Sequence, residues 1–312
     1  MNPPASENTG DEPGYFGPDS VTWRVLTSPA AALMIAQITN LLEVPHIDFQ
    51  NVLHDHDPLF PTNRKRQRGQ ATGARKAGHF HDRLRRTLSV PLPIVFGDKQ
   101  SADSCAARLF NYHRPMRGPG YSAVSPDSML FAAVTISHAA LIAYERFDLV
   151  DGARPARLPD VDRDQYFAEM ARLAELMGVP TEQIPRTSGE VGQYYRSVSA
   201  KFRRRPGFQR AQLRTALNLL RPDGRDDIPA TITDILLIGS AALAYSALPK
   251  PSRRLNGLPR AADPLLAAAY LASLPLFALL RIDAIQRAAV TAYLGAADSA
   301  VLAGARRRRS CP

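Results

Sequence analysis

Cysteine is scarce in this chain, with two residues in 312. Cys105 and Cys311 form no C-x-x-C pair, so the sequence offers neither a disulfide framework nor a zinc ribbon. A chain of this length buries enough surface to fold without such cross-links. The first 20 residues lack the basic and apolar regions of a signal peptide. Because free thiols are typical of a reducing compartment, we expect a cytoplasmic protein.

Sustained alternation of polar and apolar residues, the pattern of a β-strand, is also missing. Helical periodicity is present instead, with Ser20 and Ser125 as N-cap signals and Pro29 at a first helical position. Gly178 closes another helical run. The segment PLPIVFG at 91–97 is expected to interrupt the helices. The sequence therefore predicts an all-α fold of about ten helices.

Polar and basic ends flank the helical pattern. We expect a flexible segment at 1–18, one helical domain at 19–305 and a basic tail at 306–312. Within the domain, 232–248 and 264–280 are apolar enough to be compared with membrane spans. Both are short and contain or adjoin prolines, so we expect buried core helices, with peripheral membrane contact as the alternative.

The chain carries a formal charge of +10, which raises the question of a nucleic acid partner. The positive charge is concentrated at 63–76, at Arg203–Arg205 and at Arg306–Arg309. Aromatic residues are not interleaved with these charges, and zinc-finger, RNP and P-loop motifs are missing. We therefore expect solvated segments at 63–76 and at Arg306–Arg309, and no specific nucleic acid partner.

Seven histidines invite metal-site interpretations. His54 and His56 form one H-x-H pair, and His79 and His81 form another, but side chains at this spacing diverge on a helix. Glu43 and His46 give a single E-x-x-H spacing interrupted by a proline, whereas a di-iron bundle needs two regular ones. The pattern argues against a dedicated zinc or di-iron site.

His113 has different surroundings, near the end of the helical segment ARLFNYHRPMRG. Its helix also carries Leu109, Phe110 and Tyr112. A neutral imidazole emerging from an apolar wall suits the proximal ligand of five-coordinate haem iron, and Arg117 could meet a haem carboxylate. A histidine near a helix end is more often a cap or is bonded to a carbonyl. The residue pattern alone leaves both interpretations open.

Six blocks of sequence follow one another with a characteristic order and spacing. They are GYFGPDSVTWRV at 14–25, LLEVPHIDFQNVLHDHD at 41–57, DRLRRT at 82–87, RLFNYHRPMRG at 108–118, YSAVSPDSMLFAAVTISH at 121–138 and DQYFAEMARLAELMGVP at 164–180. In these blocks the chain resembles the MpaB-type oxygenase and rubber oxygenase (latex clearing protein) family. The resemblance runs from about Gly14 to about Tyr195. It implies a single globin-like, multi-helix domain that binds haem b, with extra helices towards the C-terminus.

The resemblance also implies roles for individual residues. His113 matches the proximal haem ligand of the H-x-x-V-R-G block, and Arg117 matches its arginine. Arg83, Arg86 and Thr87 match the R-x-x-[KR]-T block, which lines the distal face of the haem and is expected to be catalytic. Some relatives have a lysine that caps the iron. This chain has Arg86 there, and because a guanidinium stays protonated we expect no such cap.

Other matched positions have less defined roles. Arg24 is expected to contact the cofactor, and His46 and His56 match family positions. Two features depart from the pattern. Ala133 stands where many relatives have the histidine of a W-V-H-x-T block, and the basic stretch at 60–78 is longer than in typical members.

These expectations combine into a haem-b-dependent oxygenase with His113 as its iron ligand and O₂ bound on the opposite face. The resemblance implies a hydrophobic substrate, isoprenoid or otherwise unsaturated. Two alternatives remain open from sequence: a haem-binding sensor, carrier or peroxidase-like protein, and a helical binding module that uses the basic segments.

Overall fold

A computed structural model describes residues 14–56, 91–149, 154–204, 239–240 and 242–310. Within these residues the secondary structure is almost entirely helical, which confirms the all-α prediction. The helices are α1 (Val21–Leu26), α2 (Pro29–Glu43), α3 (Ile47–His56), α4 (Pro91–Phe96), α5 (Lys99–His113), α6 (Pro126–Phe147), α7 (Asp160–Leu176), α8 (Ser188–Ser197), α9 (Lys250–Leu255), α10 (Asp263–Leu279), α11 (Asp283–Leu294) and α12 (Ala296–Ser310). Residues 242–247 are also helical. The globin-like arrangement of the helices stays a prediction.

Three short 3-10 helices and one hairpin complete the described elements. The 3-10 helices are Thr181–Gln183, Ser199–Lys201 and Arg260–Ala262. The hairpin pairs β1 (Arg117–Gly118) with β2 (Tyr121–Ser122) in antiparallel register. Each strand has only two residues, so the hairpin is a structured turn between α5 and α6 rather than a sheet that contributes to the core.

Local capping explains where several helices begin and end. The Ser20 hydroxyl accepts from the backbone N–H of Trp23, and the Ser125 hydroxyl caps α6 in the same way. Gly178 follows α7 with φ of 82°, a left-handed conformation that glycine adopts without steric cost. The predicted caps and the predicted glycine stop are confirmed.

The expectation that 91–97 interrupts the helices holds only at Gly97, which separates α4 from α5, and it is wrong for residues 91–96, which form α4. Both prolines lie in its first turn, where an N–H has no helical partner and a proline is tolerated. Gly97 ends the helix with its N–H on the Pro93 carbonyl at 3.0 Å. A Cβ at Gly97 would lie 2.5 Å from that carbonyl oxygen, so glycine is required at this turn.

The core is organised around α2 and α6, which form the most extensive helix pair in the described structure. Their apolar faces meet through fully buried side chains such as Ile38 and Leu141. Next to them, the Trp23 indole packs edge-on against Phe96 at 5.1 Å and donates to the Val95 carbonyl at 3.2 Å. These contacts attach α1 and α4 to the central pair.

Both predicted ends pack more closely than expected. Phe16 is buried at 5% exposure, so the predicted flexible segment includes core residues at its C-terminal end; residues 1–13 lie outside the described residues. At the other end, α12 continues to Ser310. The Arg306 guanidinium donates to the Thr27 carbonyl from Nε at 2.7 Å, and Arg308 donates to the Phe96 carbonyl at 3.0 Å. The prediction of a solvated Arg306–Arg309 segment is therefore wrong for Arg306, which is half-buried, whereas Arg307, Arg308 and Arg309 are exposed. Arg306 and Arg308 satisfy backbone carbonyls where α1 and α4 end.

The long apolar helices differ sharply in burial. In α6, 78% of the most apolar 18-residue window is buried, as expected for the core helix of a globular protein. In the helical stretch Arg260–Leu279, which contains α10, the corresponding share is 11%. The expectation that 264–280 is a buried core helix is therefore wrong. Of the other predicted core helix, 232–238 lies outside the described residues, while Ala244, Ala247 and Leu248 are buried.

Candidate haem-binding site

His113 is the last residue of α5 and is half-buried. Its Nδ1 lies 2.9 Å from the carbonyl oxygen of Leu109, one turn earlier. A carbonyl can only accept a hydrogen bond, so Nδ1 carries the proton and the lone pair of a neutral ring is on Nε2. Burial lowers the pKa of His113, although the bond to Leu109 partly opposes this shift. The ring is therefore neutral at pH 7, and the lone pair of Nε2 is available to a metal ion.

Two aromatic side chains accompany His113 on its helix. Phe110 is 41% exposed and Tyr112 is 57% exposed, and the Tyr112 ring is edge-on to the imidazole at 5.2 Å. The expected apolar wall is thus present on α5, but it faces outwards rather than into the core. Haem iron needs a neutral imidazole nitrogen and the porphyrin needs apolar surface, so this end of α5 fits the group.

The hairpin after α5 holds the His113 end of the helix. The N–H of Met116 donates to the His113 carbonyl at 2.8 Å, and the N–H of Ala123 donates to the Met116 carbonyl at 2.9 Å. At Gly118, a Cβ would lie 2.6 Å from the Tyr121 ring, so a larger residue would force this ring to move. The chain therefore reverses immediately after His113 and returns towards α6.

Tyr121 connects this hairpin to the C-terminal end of α3. Its hydroxyl donates to the Asp55 carboxylate and lies 3.4 Å from Nε2 of His56. Burial and the Asp55 carboxylate raise the pKa of Tyr121 to about 12, and the same hydrogen bond lowers the pKa of Asp55. Sequence reasoning missed this contact, because Asp55 and Tyr121 are 66 residues apart and no local pattern pairs them.

The other predicted site residues are only partly gathered at this place. Arg117 is exposed on β1, four residues after His113, and remains available to a carboxylate. Arg24 is on α1 and forms a 2.5 Å ion pair with Asp162, so its charge is already balanced. Arg83, Arg86 and Thr87, with the basic stretch at 63–76, lie outside the described residues.

His46 occupies an aromatic cage rather than a metal site. Its ring lies 4.2 Å from the Phe131 ring, with Phe49 and Phe202 edge-on at 5.9 Å. Burial lowers the pKa of His46 to about 4; Asp48 raises it and Lys201 lowers it by smaller amounts. Nδ1 has no hydrogen-bond partner within the described residues. The imidazole therefore behaves as a neutral aromatic ring.

The E-x-x-H spacing does not produce a paired site either. The Glu43 carboxylate accepts from the Thr135 hydroxyl at 3.0 Å, whereas His46 faces the phenylalanine rings. Across the described part of the chain, no group of three or more His, Cys, Asp or Glu residues could hold a metal ion.

A cavity of about 240 Å³ lies between the C-terminal end of α2, α6, α8 and α9. Its two ring-bearing polar residues are His138 and Tyr195, joined by a 3.2 Å contact from Nδ1 to the hydroxyl. Burial lowers the pKa of His138 to about 4, so its ring is neutral. The other lining residues are mostly apolar: Leu41, Leu42, Pro45, Phe202, Pro249, Ser252 and Leu255. In the sequence, the position of His138 within a long apolar helical run was the one signal that pointed to this cavity. No sequence pattern pointed to Tyr195.

The described fold and the His113 geometry define a class: an all-helical protein with a neutral histidine donor beside apolar surface. The sequence model of the family described as ER-bound oxygenase mpaB/B'/Rubber oxygenase, catalytic domain, matches residues 23–277. The chain belongs to this family, which is one of oxygenases and hence of oxidoreductases. The match extends well beyond Tyr195, where the block resemblance ended. No match was found among curated proteins or among solved structures.

Proposed function

We propose that this protein is a haem-b-dependent oxygenase that acts on a hydrophobic substrate, with Nε2 of His113 as the iron ligand. The observation that carries the proposal is the hydrogen bond from Nδ1 of His113 to the Leu109 carbonyl, in a chain that belongs to an oxygenase family. Haem b bound there would supply an iron that activates dioxygen.

The residues of α5 contribute orientation and electronic tuning. The Leu109 carbonyl fixes the tautomer of His113 and makes its Nε2 a stronger donor, as a backbone carbonyl does behind other metal-bound histidines. Phe110 and Tyr112 supply exposed apolar surface next to the ligand. Binding haem there would remove both rings from water, and this burial favours retention of the group.

Cationic residues complete the proposed site. Arg117 would bind a haem carboxylate, because a guanidinium forms charge-assisted hydrogen bonds with that group. Arg24 could contribute only by sharing its guanidinium with Asp162. Arg83, Arg86 and Thr87 are proposed for the distal face on the strength of the family resemblance, where they would orient polar groups and stabilise developing negative charge.

The cavity that His138 and Tyr195 line supports the proposed substrate class. Its walls are mostly Leu, Pro and Phe, so the free energy of binding would come from removing apolar surface from water. We propose that this cavity accommodates an isoprenoid or otherwise unsaturated molecule. A polar group on the ligand would find hydrogen-bond partners in His138 and Tyr195, which contact each other in the ligand-free cavity.

Titration of the purified protein with haemin tests the iron ligand. We expect one equivalent to give a Soret band in the wild type and in His54→Ala, whose histidine side chain is 54% exposed. His113→Ala should lose the band or bind haem at least tenfold more weakly. A normal spectrum in His113→Ala would place the ligand elsewhere and refute the assignment.

A second experiment addresses the substrate cavity. Leu255→Trp narrows it, whereas Val161→Trp enlarges a side chain that is 74% exposed on α7. The haem-loaded protein is reduced anaerobically with dithionite, the excess reductant is removed, a panel of terpenoid and fatty-acyl alkenes and then O₂ are added, and products are read by mass spectrometry. We expect Leu255→Trp to lower turnover with an unchanged Soret band. Equal turnover in both variants would exclude this cavity as the substrate site.

A further inference from the structure

Helix α10 is the most apolar exposed feature of the described structure. It runs from Asp263 to Leu279, and only 11% of the apolar window within Arg260–Leu279 is buried. Four large side chains on it are strongly exposed: Leu265 at 73%, Leu271 at 63%, Leu276 at 62% and Leu279 at 47%. Ile282 and Ile285 continue this surface beyond its C-terminus at 52% and 39%. We call these six residues the apolar surface.

The composition of α10 favours a bilayer over a protein groove as the partner. From Pro264 to Leu280 the chain has no charged residue, and the exposed positions carry Leu, Ala and Pro on all sides that do not face the body. A helix that binds a groove on another protein shows one apolar stripe and a charged opposite face. A helix that is apolar all round lies either in a protein core or in a membrane, and α10 is mostly outside the core.

Charge at the two ends of α10 complements an anionic surface. Arg260 precedes the helix, and Arg281 and Arg287 follow it, all of them exposed. The acidic residue at the start of the helix, Asp263, is already paired with Arg253 and Arg254. Asp283 is exposed between the following arginines and offsets one of them. The net charge beside the apolar surface is therefore positive, which favours anionic lipid.

The anchoring of α10 determines how it can meet a membrane. At the middle of the helix, the Tyr270 hydroxyl donates to the Arg146 carbonyl at 2.8 Å. Near its C-terminal end, Phe277 stacks on Phe147 with ring centroids 4.6 Å apart. Before the helix, the Asn256 amide donates to the Leu41 carbonyl at 2.8 Å. All three contacts are with the central α2–α6 pair, and α11, immediately after α10, also packs on α2.

A spanning helix must place its two ends on opposite sides of a bilayer, but here both ends remain attached to one folded body. At about 1.5 Å per residue, 17 residues extend about 25 Å, which is close to the thickness of the hydrocarbon core. The side contacts leave the helix lying along the body rather than projecting from it. It can therefore enter a membrane only sideways.

We propose that α10 and the adjoining residues 280–285 form an in-plane membrane-docking surface, in which the apolar surface enters one leaflet of an anionic bilayer. This inference does not depend on haem. It goes beyond the proposed function by giving the protein direct contact with the phase in which a hydrophobic molecule would dissolve.

Sedimentation with vesicles tests the docking surface on the full chain without added haem. The wild type should bind vesicles of phosphatidylcholine and phosphatidylglycerol (7:3) more tightly than pure phosphatidylcholine, with an excess that falls as salt rises. Leu276→Glu should lower the partition coefficient at least tenfold, since the burial of one leucine is worth about that factor. Val161→Glu places the same charge at an exposed apolar position on α7 and should leave binding unchanged. Failure of the wild type to bind, or equal binding by both variants, overturns the proposal.

Two further readouts separate the remaining occupants of the surface. If a second copy covered it, the wild type would be a dimer in light scattering, Leu276→Glu would be a monomer, and vesicles would not bind. If the chain itself covered it, a cysteine at Leu276 in a Cys311→Ser background would resist maleimide. Either result contradicts membrane docking.

The in-plane geometry has its own readout. A fluorophore attached through Leu265→Cys, Ala272→Cys or Leu279→Cys, in the same background, should be quenched at one shallow depth by lipids with quenchers along the acyl chain. A deep midpoint with shallow ends would show a spanning helix and refute the in-plane arrangement.

Discussion

Replacing His46 with phenylalanine removes a buried titratable group while keeping a ring against Phe131. In the folded protein, burial lowers the pKa of His46 to about 4, from an ordinary value of 6.5. As the pH falls below 6.5 the unfolded chain takes up a proton that the folded protein refuses. The stability contributed by the neutral ring is therefore fully present above pH 6.5 and is lost as the pH falls towards 4.

The size of this effect follows from the two pKa values. A pH of 5 lies 1.5 units below the pKa of 6.5 that His46 has in the unfolded chain, and each unit is worth about 1.4 kcal/mol. Titration of His46 therefore lowers the free energy of unfolding by about 2 kcal/mol between pH 7.5 and pH 5. Phenylalanine does not titrate, so the free energy of unfolding of His46→Phe should fall by about 2 kcal/mol less than that of the wild type over the same pH interval. Other groups titrate equally in both proteins, so the difference between them isolates His46.

Urea unfolding of the haem-free protein, followed by far-UV circular dichroism at pH 7.5 and pH 5.0, measures this difference. Comparable m-values in the two proteins are required for the comparison. If the free energy of unfolding fell by the same amount between the two pH values in wild type and in His46→Phe, this result would contradict the buried, neutral state of His46.

Three further substitutions test contacts of the fold and the site by the same urea assay. Ser125→Ala removes the N-cap of α6 and should lower the free energy of unfolding by about 1 kcal/mol, whereas Ser125→Asp should retain most of it. Tyr121→Phe removes the bond to Asp55 and should cost about 1 kcal/mol, and it should also weaken haem retention, because the hairpin follows His113 directly. Arg306→Ala should cost about 2 kcal/mol, since it leaves the Thr27 carbonyl without its guanidinium donor; no loss would show that α12 contributes nothing at this contact.

Local signals predicted much of the helical structure. Ser20, Ser125 and Gly178 are cap and stop residues whose effect is decided by neighbours within one turn, and the structure has them in those roles. The end of α5 at His113 was predictable for the same reason. The prolines in 91–97 were misjudged, because a proline signals either a break or a first turn, and the sequence does not distinguish the two.

Features that depend on distant contacts could not be predicted. The cage around His46 combines rings from three separate segments, and the Tyr121 bond to Asp55 joins α3 to a hairpin. The exposure of α10 was also beyond sequence, since an apolar run has the same periodicity in a core and at a membrane. The cavity beside His138 likewise depends on where four helices meet.

The central claim is that Nε2 of His113 binds haem iron. The most direct test is chemical rescue: His113→Gly removes the ring, and free imidazole can occupy the space left behind. The account predicts that His113→Gly loaded with haemin lacks the wild-type Soret spectrum and regains it on addition of imidazole, while His54→Gly has the wild-type spectrum throughout. A wild-type spectrum in His113→Gly without imidazole would contradict the account.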